Sequence, residues 1–314
     1  MNPIQQFAGL EHATLPSAPL HLAIGMFDGV HLGHRAVIEA AVQSARRSGG
    51  TAAVLTFAPH PSVLFRPEQP TRLIMDLANK GRVLHRLGVD ALVAQPFTSE
   101  FAQLPAEEFL PWLRQRAPQL AAIYVGENFR FGRGRRGDIT LLVAEGRKHG
   151  VTVFSAPRVN YDGEPISSTR IRTLLADGNV AGANALLGYS YFAEGPVVAG
   201  KRLGRTIGFP TLNVAWAPDL RPRFGVYVVR VAGAKAVTAL PGVANYGLRP
   251  TLENAAQPLL EAHLLGECPF TTGDVVTVKW LRFLRPEQKF AGVEELRAQI
   301  ARDRAAAAAD FQLS

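Results

Sequence analysis

Gly25-Met26-Phe27-Asp28-Gly29-Val30-His31-Leu32-Gly33-His34 lies where an apolar run ends and an amphipathic one begins, and its reading decides the fold. Leu20 to Phe27 reads as a buried strand. From His34 the sequence HRAVIEAAVQSARR has helical spacing as far as Gly49-Gly50, a pair that suits a helix C-cap. Between strand and helix, Gly25, Gly29 and Gly33 let backbone amides approach a ligand with no Cβ in the way. His31 and His34 are three residues apart and share one face of an opening helical turn. Two imidazoles beside a helix N-terminus suit an anionic, pentacovalent phosphorus, so the stretch is expected to hold ATP.

Outward from this point the chain keeps alternating. Thr51–Phe57 reads as a second strand, Lys80–Leu87 as a helix, Asp90–Gln95 as a strand and Ala106–Arg116 as a helix. Ala121–Gly126 is a strand, Asp138 caps a helix running to His149-Gly150, and Val151–Ser155 is another strand. Such alternation predicts an α/β domain with a parallel sheet covered on both faces and ligands at the carboxyl ends of its strands.

After two short helices ending at Gly178 and Gly188 the texture changes. YFAEGPVV, GFPTLNVAW, FGVYVVRVAG, AVTALPGVAN, PLLEAHLLG and DVVTVKWLRFL are short strand-like runs punctuated by Gly and Pro, the pattern of an antiparallel barrel or sandwich. Gly292 to about Ala309 returns to a helical pattern. A domain boundary is therefore expected near residue 187, giving domains 1–187 and 188–314.

With 314 residues, 47% of them hydrophobic, the chain can supply both domains with a core. A formal charge of +8 asks for anionic partners, and polyphosphate ligands meet that demand as well as nucleic acid does. No RNA-binding aromatic motif or zinc-finger spacing accompanies the arginines, so nucleic acid is not expected as a partner. The single cysteine, Cys268, excludes an internal disulfide and a Cys-based metal cluster. The N-terminus lacks a signal-peptide pattern and no apolar run has membrane-spanning length, which predicts a cytoplasmic protein with no membrane partner.

A second motif supplies what histidines cannot. Ser167, Ser168 and Thr169 offer hydroxyls and amides at a helix N-terminus, where the dipole favours phosphate, and Arg172 lies one turn further on the same face. His60, in Thr56-Phe57-Ala58-Pro59-His60-Pro61, follows a strand and either reaches the same sheet edge or only orders its loop. Gly126-Glu127-Asn128-Phe129 follows another strand and offers Asn128, with Phe129 suited to core and to a pocket wall alike. Gly132-x-Gly134-x-x-Gly137 matches a dinucleotide fingerprint in form only, because its glycines begin several residues past the strand.

The C-terminal half has its own constellation. Gly200-Lys201-Arg202-Leu203-Gly204-Arg205-Thr206-Ile207-Gly208-Phe209-Pro210-Thr211-Leu212-Asn213 begins as a basic, glycine-rich loop and ends in a strand. Thr211 and Asn213 are two apart and project to one face as a hydroxyl and an amide, suitable ligands for Mg²⁺ and phosphate. Glu261 stands on an otherwise apolar strand, where a general base for a substrate hydroxyl is one reason and a surface-facing carboxylate is the other.

GMFDGVHLGH, TFAPHP, VGENFRFG and ISSTRIR resemble the FMN adenylyltransferase module of the bacterial bifunctional riboflavin kinase/FAD synthetases, a family marked by H-x-G-H. GRTIGFPTLN, GVYVV, GVANYGLRPT, EAH and LRPEQKFAGVEELRAQI resemble its riboflavin kinase module. The resemblance implies a Rossmann-like nucleotidylyltransferase domain followed by an antiparallel β-barrel with a C-terminal helix. It implies phosphorylation of riboflavin by MgATP to FMN, then adenylation of FMN by a second ATP to FAD with release of pyrophosphate. His31 and His34 would stabilise the α-phosphate transition state and Arg172 the β,γ-phosphates, with Gly25, Phe27, Asp28, Gly33, Ser167, Ser168 and Thr169 around the nucleotide. His60, Asn128 and Phe129 would contact the flavin substrate. In the second module Gly200, Lys201, Gly204, Arg205, Thr206, Gly208 and Pro210 would hold ATP phosphates, Thr211 and Asn213 Mg²⁺, and Glu261 would activate the ribityl 5′-hydroxyl. Two departures stand out: Gly266, where the family commonly has an acidic residue, and Met26, where it often has a small or polar one.

Two other readings predict different behaviour. A barrel that merely senses flavin needs no base, and an RNA-binding protein shows affinity that falls steeply with salt.

Overall fold

The computed structural model describes residues 4–200, 208–249 and 257–312. Contacts between residues divide the chain into two compact units, Met1–Ser168 and Thr169–Ser314.

The first unit is built on six parallel strands: β1 (Gln5–Phe7), β2 (Leu20–Ile24), β3 (Thr51–Ala58), β4 (Ala91–Pro96), β5 (Leu120–Gly126) and β6 (Thr152–Ala156), ordered β1-β4-β3-β2-β5-β6. Every residue of β2 is buried, as expected of a central parallel strand covered on both faces. The connecting helices are α1 (Leu32–Ser48), α2 (Pro61–Phe65), α3 (Leu77–Arg86), α4 (Phe109–Arg116) and α5 (Ile139–Lys148). The chain passes from β2 to β3 on one side, and later to β5 on the other. The carboxyl ends of β2 and β5 thus flank the switch point, where α/β sheets open a crevice for ligands.

α1 begins two residues before His34, because His31 serves as its N-cap; Gly49 closes it in the left-handed region at φ 64°. β1, α2 and a two-residue hairpin, β7 (Asn160–Tyr161) with β8 (Glu164–Pro165), carry too few residues for a periodicity and were not expected. α6 (Ser168–Ala176) opens on the last residue of the first unit, and α7 (Val180–Leu187) follows it.

In the second unit β9 (Phe192–Val198), β10 (Leu212–Val214), β11 (Gly225–Gly233), β12 (Leu240–Arg249), β13 (Gln257–Leu264) and β14 (Val275–Arg285) form a closed antiparallel barrel, ordered β10-β13-β12-β11-β14-β9. The choice left open between barrel and sandwich falls to the barrel. Tyr227, Tyr246 and Trp280 fill its interior, with ring centroids of Tyr227 and Trp280 4.5 Å apart. α8 (Val293–Asp310) is the expected C-terminal helix.

Candidate active sites

In the first unit the histidine motif sits at the switch point. His31 is 4% exposed, and its Nδ1 accepts a hydrogen bond from the His34 N–H at 3.3 Å, which leaves Nε2 to carry the proton of a neutral ring. The His31 and His34 rings stack with centroids 3.5 Å apart and planes 18° apart. Gly33 permits this: a Cβ there would come within 3.3 Å of the His31 ring. The Phe27 ring meets His34 edge-on at 5.3 Å.

The turn before the motif is strained. Phe27 and Val30 are non-glycine residues at φ 45° and 39°. Anchors hold it there. Ser168 Oγ donates to the Asp28 carbonyl at 2.8 Å, and the Asp28 carboxylate accepts from the Ile74 N–H at 3.0 and 3.1 Å. Asp28, 2% exposed, therefore orders the turn from within.

One cavity gathers most of the expected residues. Gly25, Phe27, His31, Gly33 and His34 line it from the β2 side, Asn128 and Phe129 from the β5 side. Met26 lines it too, so that departure from the family pattern lies on the β2 side of the cavity. His60 is elsewhere: it N-caps α2, its Nδ1 accepting from the Ser62 N–H at 3.0 Å. Ser167 precedes α6; Thr169 and Arg172 belong to the second unit. The sequence reading missed Arg158 and Glu127, which line the same cavity and pair at 3.1 Å. Their position just past β6 and β5 was the available signal.

In the barrel, register places the second constellation. Asn213 on β10 lies opposite Glu261 on β13, and Asn245 on β12 lies opposite Glu261 from the other side. Leu212, Val214, Leu260 and Ala262 occupy the alternate, buried face. Asn213 is 7% exposed, and its Oδ1 has no hydrogen-bond partner among the described residues. A buried amide oxygen left open, with the exposed Thr211 hydroxyl two residues earlier, fits a hard divalent cation. Gly200 lies against this amide so closely that any Cβ would collide with Asn213 Nδ2.

His263 Nδ1 donates to the Pro210 carbonyl at 2.8 Å and so ties β13 to the segment leading into Thr211. Burial pushes its imidazole below the usual range, with the Pro210 carbonyl opposing. Gly208, at φ 86°, is exposed in the same approach. Lys201, Gly204, Arg205 and Thr206 lie outside the described residues. Gly266 sits in an exposed turn where a Cβ would meet nothing within 4 Å.

The family model described as FAD synthetase matches residues 16–170, and that described as riboflavin kinase matches residues 187–311. The bifunctional riboflavin kinase/FMN adenylyltransferase of Escherichia coli (strain K12) is 41% identical over 293 residues, 93% of each chain. That of Haemophilus influenzae is 35% identical over 308 residues, 98% of this chain and 99% of its own. A crystal structure titled as a macrolide-efflux protein from Streptococcus pneumoniae aligns with a TM-score of 0.84 at 29% identity, covering 98% of this chain and 99% of its own. Among the described residues of this chain no helix is long and apolar enough to cross a membrane. With both modules matched and relatives aligned over nearly its whole length, the chain belongs to the family of bifunctional riboflavin kinase/FMN adenylyltransferases.

Proposed function

We propose that the barrel phosphorylates riboflavin and that the Rossmann-like domain adenylylates the resulting FMN, with the two sites described above as the reaction centres and the boundary between them near residue 187. The observation that carries this reading is the stacked His31–His34 pair at the switch point, sharing one cavity with Asn128 and Phe129.

In adenylyl transfer the FMN phosphate attacks the α-phosphorus of ATP and pyrophosphate leaves. The His31 Nε2–H donates to the oxygens that gain charge at that phosphorus, and the imidazole is pre-oriented because its other nitrogen caps α1. The amino end of α1 adds its dipole. Asn128 and Phe129 position the flavin substrate from the β5 side, and Ser167 and Ser168 contribute phosphate contacts.

In the kinase the 5′-hydroxyl of riboflavin attacks the γ-phosphorus of ATP and ADP leaves. Glu261 accepts the hydroxyl proton, held in register between Asn213 and Asn245. Thr211 and Asn213 are the residues that would hold Mg²⁺, and the ion would there neutralise phosphate charge. Catalysis at both sites rests on alignment and charge stabilisation, with no covalent enzyme intermediate. The substrates of this reading are riboflavin, FMN and ATP, its product is FAD, and the compartment that fits them is the cytoplasm.

Incubation with riboflavin, ATP and Mg²⁺, with products separated over time, tests the reading. FMN appearing first and then yielding FAD is the expected course. FAD formed only from supplied FMN would make the barrel a flavin sensor.

A further inference from the structure

Lys80 is a buried cation that neither reaction, as described, employs. It stands on α3 with 5% exposure. Its Nζ donates to the Met26 carbonyl at 2.7 Å and to Thr56 Oγ1 at 3.2 Å, and Thr56 Oγ1 itself donates to the same carbonyl at 3.0 Å. A buried ammonium is costly and persists only where its donors are well used. Here they converge from α3 and β3 on a single backbone oxygen beside the nucleotide cavity.

That oxygen belongs to the residue just before the strain. Phe27 follows at φ 45° and Val30 at φ 39°. Such conformations cost roughly 1–3 kcal/mol each and survive only where the surroundings over-determine them. The Asp28 anchors hold the far side of the turn through Ile74 and Ser168. The near side is held by the ammonium, whose charge makes it the strongest of the donors on Met26. The Met26 peptide ends in the Phe27 N–H, and a cation on its carbonyl polarises that N–H toward any acceptor in the cavity.

We propose that Lys80 is a positioning residue for adenylyl transfer: its ammonium, with Thr56, clamps the Met26 carbonyl and thereby holds the strained turn in the shape that binds the ATP phosphates and aims His31. The proposal rests on the reading that this turn holds ATP. It follows that losing the clamp lowers the population of the binding-competent turn, which raises the apparent KM for MgATP by the same factor. The FMN side of the cavity, built from the β5 loop, and the kinase in the other domain are untouched.

The test uses the full chain carrying Lys80→Met, Thr56→Val or His31→Ala, with folding checked by thermal melting. For each variant kcat and KM for MgATP and for FMN are measured in the adenylylation of supplied FMN, and the riboflavin kinase rate of the same preparation is recorded. Lys80→Met is expected to raise KM for MgATP by about 10- to 100-fold, the scale of one buried hydrogen bond from a charged donor. KM for FMN and the kinase rate stay within about twofold, a difference too small to reflect a lost contact of that kind. Thr56→Val raises the same KM by a smaller factor; if Lys80→Met does not fold, Thr56→Val alone decides. Folded variants with a wild-type KM for MgATP, or with losses matched in the kinase, overturn the proposal. His31→Ala separates the two layers. If it leaves FAD formation intact, the site reading itself falls; if it blocks FAD formation while the other variants bind MgATP normally, only Lys80 falls.

Discussion

Lys80 also makes a statement about stability, with a sign that follows from its burial. Desolvation pushes its amine from the usual 10.5 down to about 8, the Asp28 charge opposing. The cost of keeping the folded protein's ammonium charged is present below pH 8, and it is relieved as pH rises from about 8 to 10.5, where the unfolded chain binds the extra proton. Wild-type unfolding free energy should therefore rise relative to Lys80→Met by about 3 kcal/mol across that window. Denaturant unfolding at several pH values checks it, and parallel curves for the two proteins would refute it. The residue was invisible in the sequence: the helical run expected over Lys80–Leu87 puts Lys80 at its first position, whereas α3 starts three residues earlier at Leu77, capped by Asp76, and only packing against the turn buries Lys80. His31 and His34 were legible because their chemistry requires particular residue types at a fixed spacing. Glu261 was legible as an anomaly on an apolar strand, but its neighbour Asn245 emerges only from cross-strand register.

The elements show the same division between local and distant causes. The central strands read directly from sequence, since a parallel strand buried on both faces is a continuous apolar run. The start of α1 was misjudged by two residues because its cap is a histidine, outside the usual Ser, Thr, Asp and Asn set. α8 was legible as a helix, whereas its attachment was not. Asp303, 6% exposed, takes a bidentate grip from Arg285 on β14 at 2.7 and 2.9 Å and also accepts from Gln299 Nε2 at 2.8 Å. Asp310 makes a similar pair with Arg282, but with its side chain 31% exposed. Breaking the buried pair strands a charged guanidinium, so Asp303→Ala should cost the barrel about 3–5 kcal/mol. Asp310→Ala should cost at most about 1 kcal/mol. Equal losses in denaturant unfolding would contradict this account of how α8 is held.

For the whole molecule, a change of texture in the sequence announced two domains, but closure of the barrel had no local sign. Alternating strands look alike in a sandwich and a barrel, and the decision lies in β9 pairing with both β10 and β14. The boundary proposed near residue 187 leaves α7 with the first domain, although Asn184 on α7 donates to the Trp280 carbonyl at 2.8 Å and accepts from the Tyr191 N–H at 2.6 Å. A fragment of residues 188–314 keeps every barrel strand and is expected to phosphorylate riboflavin. It should melt below a fragment of residues 169–314, which retains those bonds and the cover of Leu186 and Leu187. A folded but inert 188–314 fragment would show that the kinase needs more of the chain. The central claim, two separate sites acting in sequence, is tested most directly by reciprocal variants in one assay of riboflavin, ATP and Mg²⁺. His31→Ala should accumulate FMN and slow FAD formation about 10²-fold or more, the scale of one lost oriented donor. Glu261→Gln should slow FMN formation by about 10²-fold or more, the lower end for a general base or beyond, yet adenylylate supplied FMN at the wild-type rate. Either variant losing both activities together, or Glu261→Gln phosphorylating riboflavin normally, would contradict the account.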